Sequence, residues 1–131
     1  MPYLHLDLNR HYETAIKQQL AQKLSETYTA IMHSDPRRMT VTFRELGEGN
    51  VWRCGNDLPY PGAILMCDIR KGRSLEVRER LSRELIRLCN ELLGLEKNEL
   101  NIEFTQHSGD EMYHQRMDGF SEDWNNDEPA E

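Results

Sequence analysis

The feature that most restricts what this chain can become is a repeat without gaps. Asp7, Ile16, Leu20, Leu24, Val41 and Phe43 each recur, identical or similar, 61 positions later as Asp68, Val77, Leu81, Leu85, Ile102 and Phe104. A constant offset kept along apolar positions means that one supersecondary unit is written twice. The unit is legible from its periodicities. Leu4, Leu6 and Leu8 alternate with Tyr3, His5 and Asp7, which predicts a half-buried strand from the second residue onward. Over about 11–32 the positions Ile16, Leu20, Leu24, Tyr28 and Ile31 follow helical spacing, and Asp35-Pro36 stops the pattern. Met39, Val41 and Phe43 then alternate with Thr40, Thr42 and Arg44 in a second strand, before the turn-rich Gly47-Glu48-Gly49-Asn50 and a short hairpin arm at 51–54. The second copy opens at Pro61, with a strand over 63–69, a helix over 74–93 and a strand over 100–105.

Each copy is a β-α-β unit whose crossover helix makes its two strands parallel and its hand right-handed. Two copies side by side predict an α/β (α+β) fold of order β-α-β-β-α-β, a four-stranded sheet with both helices on one face. We expect one domain over 1–124, with pseudo-repeats 2–46 and 61–107, and an acidic flexible tail over 125–131. Between these, Met112, Tyr113, Phe120 and Trp124 are the anchors of an otherwise polar stretch. The sheet face without helices carries Tyr3, His5, Thr42, Ile64, Met66, Glu103 and Thr105, apolar in its middle, which predicts self-association.

Composition narrows the partners. With 131 residues the chain is long enough for a real core. The acidic balance, 23 Asp+Glu against 16 Lys+Arg, speaks against a nucleic-acid surface, which would be basic. No stretch approaches the roughly 20 apolar residues that span a bilayer, and the start lacks a basic leader, so a cytoplasmic protein is expected. Cys54, Cys67 and Cys89 are widely spaced and form no CxxC pair, the pattern of reduced thiols. The five histidines show no metal-ligand spacing, and neither a metal nor a cofactor is expected.

Chemistry concentrates at Cys67-Asp68-Ile69-Arg70-Lys71-Gly72-Arg73-Ser74, where an apolar strand turns into a helix and three cations crowd a glycine in a chain of net charge −7. Arginine forks grip planar carboxylates at two points, and Ser74 as N-cap would leave backbone N–H groups to add to an anion-attracting field. The alternative is a solvated basic turn.

A duplicated β-α-β unit that begins Met-Pro resembles the tautomerase superfamily. The likeness rests on Pro2, on Phe43-Arg44-Glu45 with Gly49-Asn50-Val51-Trp52 and Gly55, on the 69–74 corner and on Glu111-Met112, and it covers about 2–115. Within the superfamily the chain is most similar to the cis-3-chloroacrylic acid dehalogenases of fused length. The resemblance and the uncovered sheet face together imply a homotrimer around a central barrel of sheets, and Trp52 with the Gly49-Asn50 turn is expected at the subunit boundary, since aromatics next to flexible turns often anchor interfaces. It also implies an isomerase that works through Pro2 as general base and acid once Met1 is removed. Arg70 and Arg73, with Tyr28, would hold a small 2-oxo or enol carboxylate. Against this stands the simpler reading of Pro2 as a proline at a strand start, where its missing N–H is harmless.

The chain departs from the dehalogenase pattern at three places. Aligned through the motifs, the group's helix histidine falls at or next to Tyr28, its tyrosine on the last strand at Glu103, and its water-activating glutamate at or near His114. Glu103 and His114 are the residues left to activate water for hydration, dehalogenation or decarboxylation of a short acid, although a histidine in a polar tail also reads as solvated. Enol–keto proton transfer needs only Pro2 and the arginines. A third reading keeps the fold and drops the chemistry, leaving a small-carboxylate sensor or assembly module.

Overall fold

The computed structural model describes residues 2–125. Four strands form the sheet: β1 (Tyr3–Leu8), β2 (Thr40–Glu45), β5 (Ala63–Arg70) and β6 (Leu100–His107), in the order β2-β1-β5-β6. Two short strands, β3 (Trp52–Arg53) and β4 (Tyr60–Pro61), make a hairpin between the halves, and β7 (Tyr113–His114) and β8 (Gly119–Phe120) make another near the end. Helices α1 (Thr14–Met32) and α2 (Leu75–Leu93) are the two crossovers. β1 is parallel to β2 and β5 to β6, as crossover helices require, while β1 and β5 join the halves antiparallel.

The duplicated apolar residues make the core. Leu4, Leu6, Leu65, Cys67 and Ile69 face the helices and meet Leu20, Leu24, Leu81 and Leu85, all excluded from solvent. Both helices cover one face of the sheet because the two central strands, β1 and β5, alternate in step across the junction of the halves. The opposite face presents Tyr3, His5, Ile64 and Met66 together with ion pairs, Arg44 to Asp7 at 3.1 Å and His5 to Asp68 at 3.8 Å. The Tyr3 and His5 rings stack with centroids 4.7 Å apart. Its centre is therefore both apolar and charge-paired.

Local chemistry sets the ends of the elements. Ser74 accepts a bond from the Val77 N–H at 3.2 Å and caps α2 as its sequence predicts. α1 begins at Thr14, three residues later than periodicity suggests. The Tyr12 N–H donates to the Glu45 carboxylate at 2.6 Å and the Tyr12 hydroxyl to the Leu93 carbonyl at 2.9 Å, which ties the preceding turn to the sheet and to α2. β5 and β6 each run one or two residues past their expected ends, since Arg70 and His107 pair in register. Met112 is buried and Trp124 packs inward, whereas Tyr113 and Phe120 pair edge to face at the surface. Apart from Asn125, the expected acidic tail lies outside the described residues. No helix among the described residues is long and apolar enough to cross a membrane.

Candidate active site

The antiparallel junction of the two halves gathers the sequence candidates at one end of the sheet. Tyr3 pairs with Thr40 on one side and with Asp68 on the other, and Asp68 pairs with Thr105. One residue further out, Pro2 stands between Met39 and Ile69, and its carbonyl accepts the Thr40 N–H at 3.2 Å. Pro2 is buried. Beyond it come Arg38, which closes a 3-10 turn (Pro36–Arg38), and Arg70, the last residue of β5. Tyr28 arrives from the last turns of α1. Burial pushes its phenol far above the ordinary tyrosine range, while the neighbouring Arg73 guanidinium pulls it down.

Pro2, Tyr28, Arg70 and Arg73 thus share one end of the molecule, and the partners of the two arginines are the chain itself. Arg73 is 6 % exposed. Its Nε and Nη2 both donate to the carbonyl of Met32, at 3.2 and 2.8 Å, and its guanidinium lies 4.9 Å from the Trp124 ring centroid. Met32 ends α1, so Arg73 supplies donors to a carbonyl that no helical N–H reaches, at the negative end of the helix dipole. Arg70 is equally buried and donates from Nη1 to the Glu122 carbonyl at 2.8 Å.

Glu122 and Trp124 belong to a segment that straps the corner. The Trp124 N–H donates to the Lys71 carbonyl at 2.9 Å, and the Asp123 carboxylate accepts the Gly109 N–H at 2.7 Å. The approach is close enough to require glycine twice. A Cβ on Gly72, whose φ is +131°, would sit 2.1 Å from the Trp124 carbonyl oxygen, and one on Gly109 would sit 2.1 Å from the Glu122 carbonyl carbon.

The remaining candidates lie elsewhere. Glu103 is exposed in the middle of β6, level with Met66, and four residues short of His107, the partner of Arg70. His114 sits on β7 at the wall of a separate small cleft, with Asp35, Arg37, Arg38, Arg116 and Met117. Sequence reasoning passed over this cleft. The adjacent cations Arg37 and Arg38, directly before the strand that flanks Pro2, were the signal available. Among the described residues no group of acidic, histidine or cysteine side chains could hold a metal.

A much larger groove, about 910 Å³, opens at the opposite end of the sheet, between the β3–β4 hairpin and the loops around Asn9 and Glu96. Trp52 is 53 % exposed and Leu58, in the hairpin loop, 87 %. Asn9 fixes this hairpin by accepting the Asn50 and Val51 N–H groups at 3.0 and 2.8 Å.

No protein-family model and no curated protein matches the sequence. Solved structures do match in shape. A member of the cis-3-chloroacrylic acid dehalogenase (cis-CaaD) family superposes with a TM-score of 0.80 at 16 % identity, over 92 % of this chain and 84 % of that one. A fused 4-OT, Q0, described as a symmetric trimer, gives 0.77 at 17 % identity, over 91 % and 94 %. Pt0534, solved after inactivation by 2-oxo-3-pentynoate, gives 0.72 at 21 % identity, over 84 % and 89 %. The chain therefore shares the fold of these solved structures, the cis-3-chloroacrylic acid dehalogenase family member and the fused 4-OT among them.

Proposed function

We propose that this protein is an isomerase that moves a proton next to the carbonyl of a small 2-oxo or enol carboxylate, with Pro2 as base. The observation that carries this reading is the burial of Pro2 between Met39 and Ile69 at the sheet end where Arg38, Arg70 and Arg73 converge. Removal of Met1 would turn Pro2 into a secondary amine. Burial and nearby guanidinium charge both disfavour its protonated form, which leaves a free base near neutral pH. The amine takes a proton from carbon, negative charge grows on the carbonyl oxygen, and the guanidinium field stabilises it. Return of the proton to the other site completes the isomerisation without cofactor. Pt0534 supports the substrate class, since its inactivator is itself a 2-oxo acid.

A homotrimer fits the same reading. Three of the fused 4-OT neighbours are described as trimers, and this chain exposes Trp52, Leu58 and Tyr60 on one hairpin beside a sheet face without helices. A reducing compartment such as the cytoplasm suits the three free thiols.

His114 favours a second reading. Its imidazole lines the arginine cleft, where it can orient a water for addition to a short unsaturated acid, as a hydratase or dehalogenase requires. Glu103, exposed in mid-strand, would reach such a site only in an assembly.

The test combines mass spectrometry of the N-terminus with turnover of an enolised 2-oxo acid. We expect Met1 to be absent, Pro2→Ala to lower kcat with KM nearly unchanged, and kcat/KM to rise with pH through one pKa below the ordinary ~7.7 to 8 of a chain-terminal amine. Wild-type rates in Pro2→Ala, or full activity with Met1 retained, would remove Pro2 as the base, whereas no turnover of 2-oxo or 3-halo acids by the wild type would leave the sensor or assembly module as the surviving reading.

A further inference from the structure

We propose that the cleft between the Pro36–Arg38 turn and the β7–β8 hairpin is a docking site for the carboxylate of a small monoanion, held by Arg38 and Arg116 with His114 as directional partner. The inference rests on the proposed isomerase reading in one respect, that the anion is the substrate's; the binding site stands on its own observations. First, two buried polar atoms at this cleft, Arg38 Nε and His114 Nδ1, have no hydrogen-bond partner. Buried polar atoms are almost always paired, so two orphans on residues that line one cleft mark side chains left without the polar partner that a small shift towards the cleft would supply.

Charge points the same way. The Asp35 carboxylate accepts Nε of Arg37 at 3.0 Å and Nη2 at 2.6 Å, a two-point pair that largely cancels itself. Among the described residues neither Arg38 nor Arg116 has an acidic partner within ion-pair distance, so the cleft keeps a positive field inside a chain of net charge −7. Guanidinium forks match a planar carboxylate at two points. Asp35, buried in the wall, opposes a second negative charge and so favours a monoanion over a phosphate. The volume, about 160 Å³, suits a headgroup or a molecule of a few heavy atoms.

Position links the cleft to Pro2. Arg38 precedes Met39, which stands level with Pro2 in the β1–β2 register, so an anion on Arg38 lies beside the head of β1. Arg70 and Arg73, by contrast, are engaged by Glu122, Met32 and Trp124. His114, which lines the same cleft, offers an imidazole N–H to the anion.

Titration calorimetry of the full chain with pyruvate, and separately with inorganic phosphate, tests this. We expect one pyruvate per chain, affinity lowered about tenfold or more by Arg38→Gln and by Arg116→Gln, each the loss of a charge-assisted contact, and only partial recovery in Arg38→Lys. The His114 ring signals should shift on addition of pyruvate, and thermal melting of the variants should match wild type. Unchanged pyruvate affinity in Arg38→Gln, absence of pyruvate binding, or binding of phosphate alone overturns the proposal. The two readings fail separately: a dead Pro2→Ala with wild-type binding in Arg38→Gln removes the cleft and keeps the base, while a fully active Pro2→Ala with binding lost in Arg38→Gln does the reverse.

Discussion

Replacing Arg73 by Gln should damage folding stability before it damages ligand binding. The side chain is 6 % exposed and gives two donors to the Met32 carbonyl at 3.2 and 2.8 Å, with the Trp124 ring 4.9 Å away. Two charge-assisted bonds onto one helix-terminal carbonyl contribute roughly 1.5 to 3 kcal/mol. The ring contact adds about 1 kcal/mol in a largely desolvated setting. Allowing for their overlap, the loss is ~3 kcal/mol, a large share of the roughly 5 to 15 kcal/mol that holds a domain together. For a chain of this length that amounts to a fall in Tm of about 10 °C. Urea melts at fixed protein concentration, followed by circular dichroism, measure it, with an unchanged slope and a lower midpoint expected. Arg73→Lys keeps the charge without the fork and should recover less than half. A midpoint equal to wild type, with pyruvate binding reduced instead, would refute the structural role and return Arg73 to the substrate.

Two further outcomes follow from burial and charge. Native protein should expose one thiol to Ellman's reagent, Cys54, because Cys67 and Cys89 are excluded from solvent and burial raises both thiols, that of Cys89 to about 12; denatured protein should show three, and a second fast native thiol would mean that the helical layer opens readily. Glu45, whose carboxyl is lowered chiefly by its bond from Lys17 and further by the Tyr12 N–H, contributes stability that is present above the ordinary carboxylate pKa of ~4.3 and lost as pH falls through its lower folded value. Glu45→Gln should therefore lower Tm at pH 7 and converge with wild type near pH 2; a gap that persists in acid would show that the carboxylate charge is not what matters.

Much of the fold is legible in the chain because its determinants are local. Leu4, Leu6 and Leu8 announce a strand, Leu20 and Leu24 a helix, and the same spacing at Leu81 and Leu85 repeats the message, since hydrophobic period depends only on neighbours a turn or a pleat away. Ser74 as N-cap and the strand-to-helix corner at Arg70 are equally local. The site was half legible. That Pro2, Arg70 and Arg73 share one end of the sheet follows from the duplicated units and the resemblance they carry. What each arginine touches does not, because a buried guanidinium pairs with whichever acceptors the fold brings near, and these came from Met32 and from Glu122, 41 and 52 residues away. Likewise Arg38 meets His114 and Arg116 only because the β7–β8 hairpin folds back across the start of β2. The sequence alone determined the units and the end of the sheet on which cations gather. Tertiary structure decided which of those cations hold the chain together and which line an open cleft, since that choice depends on the competition for hydrogen-bond partners between distant segments, and no spacing along the chain encodes it.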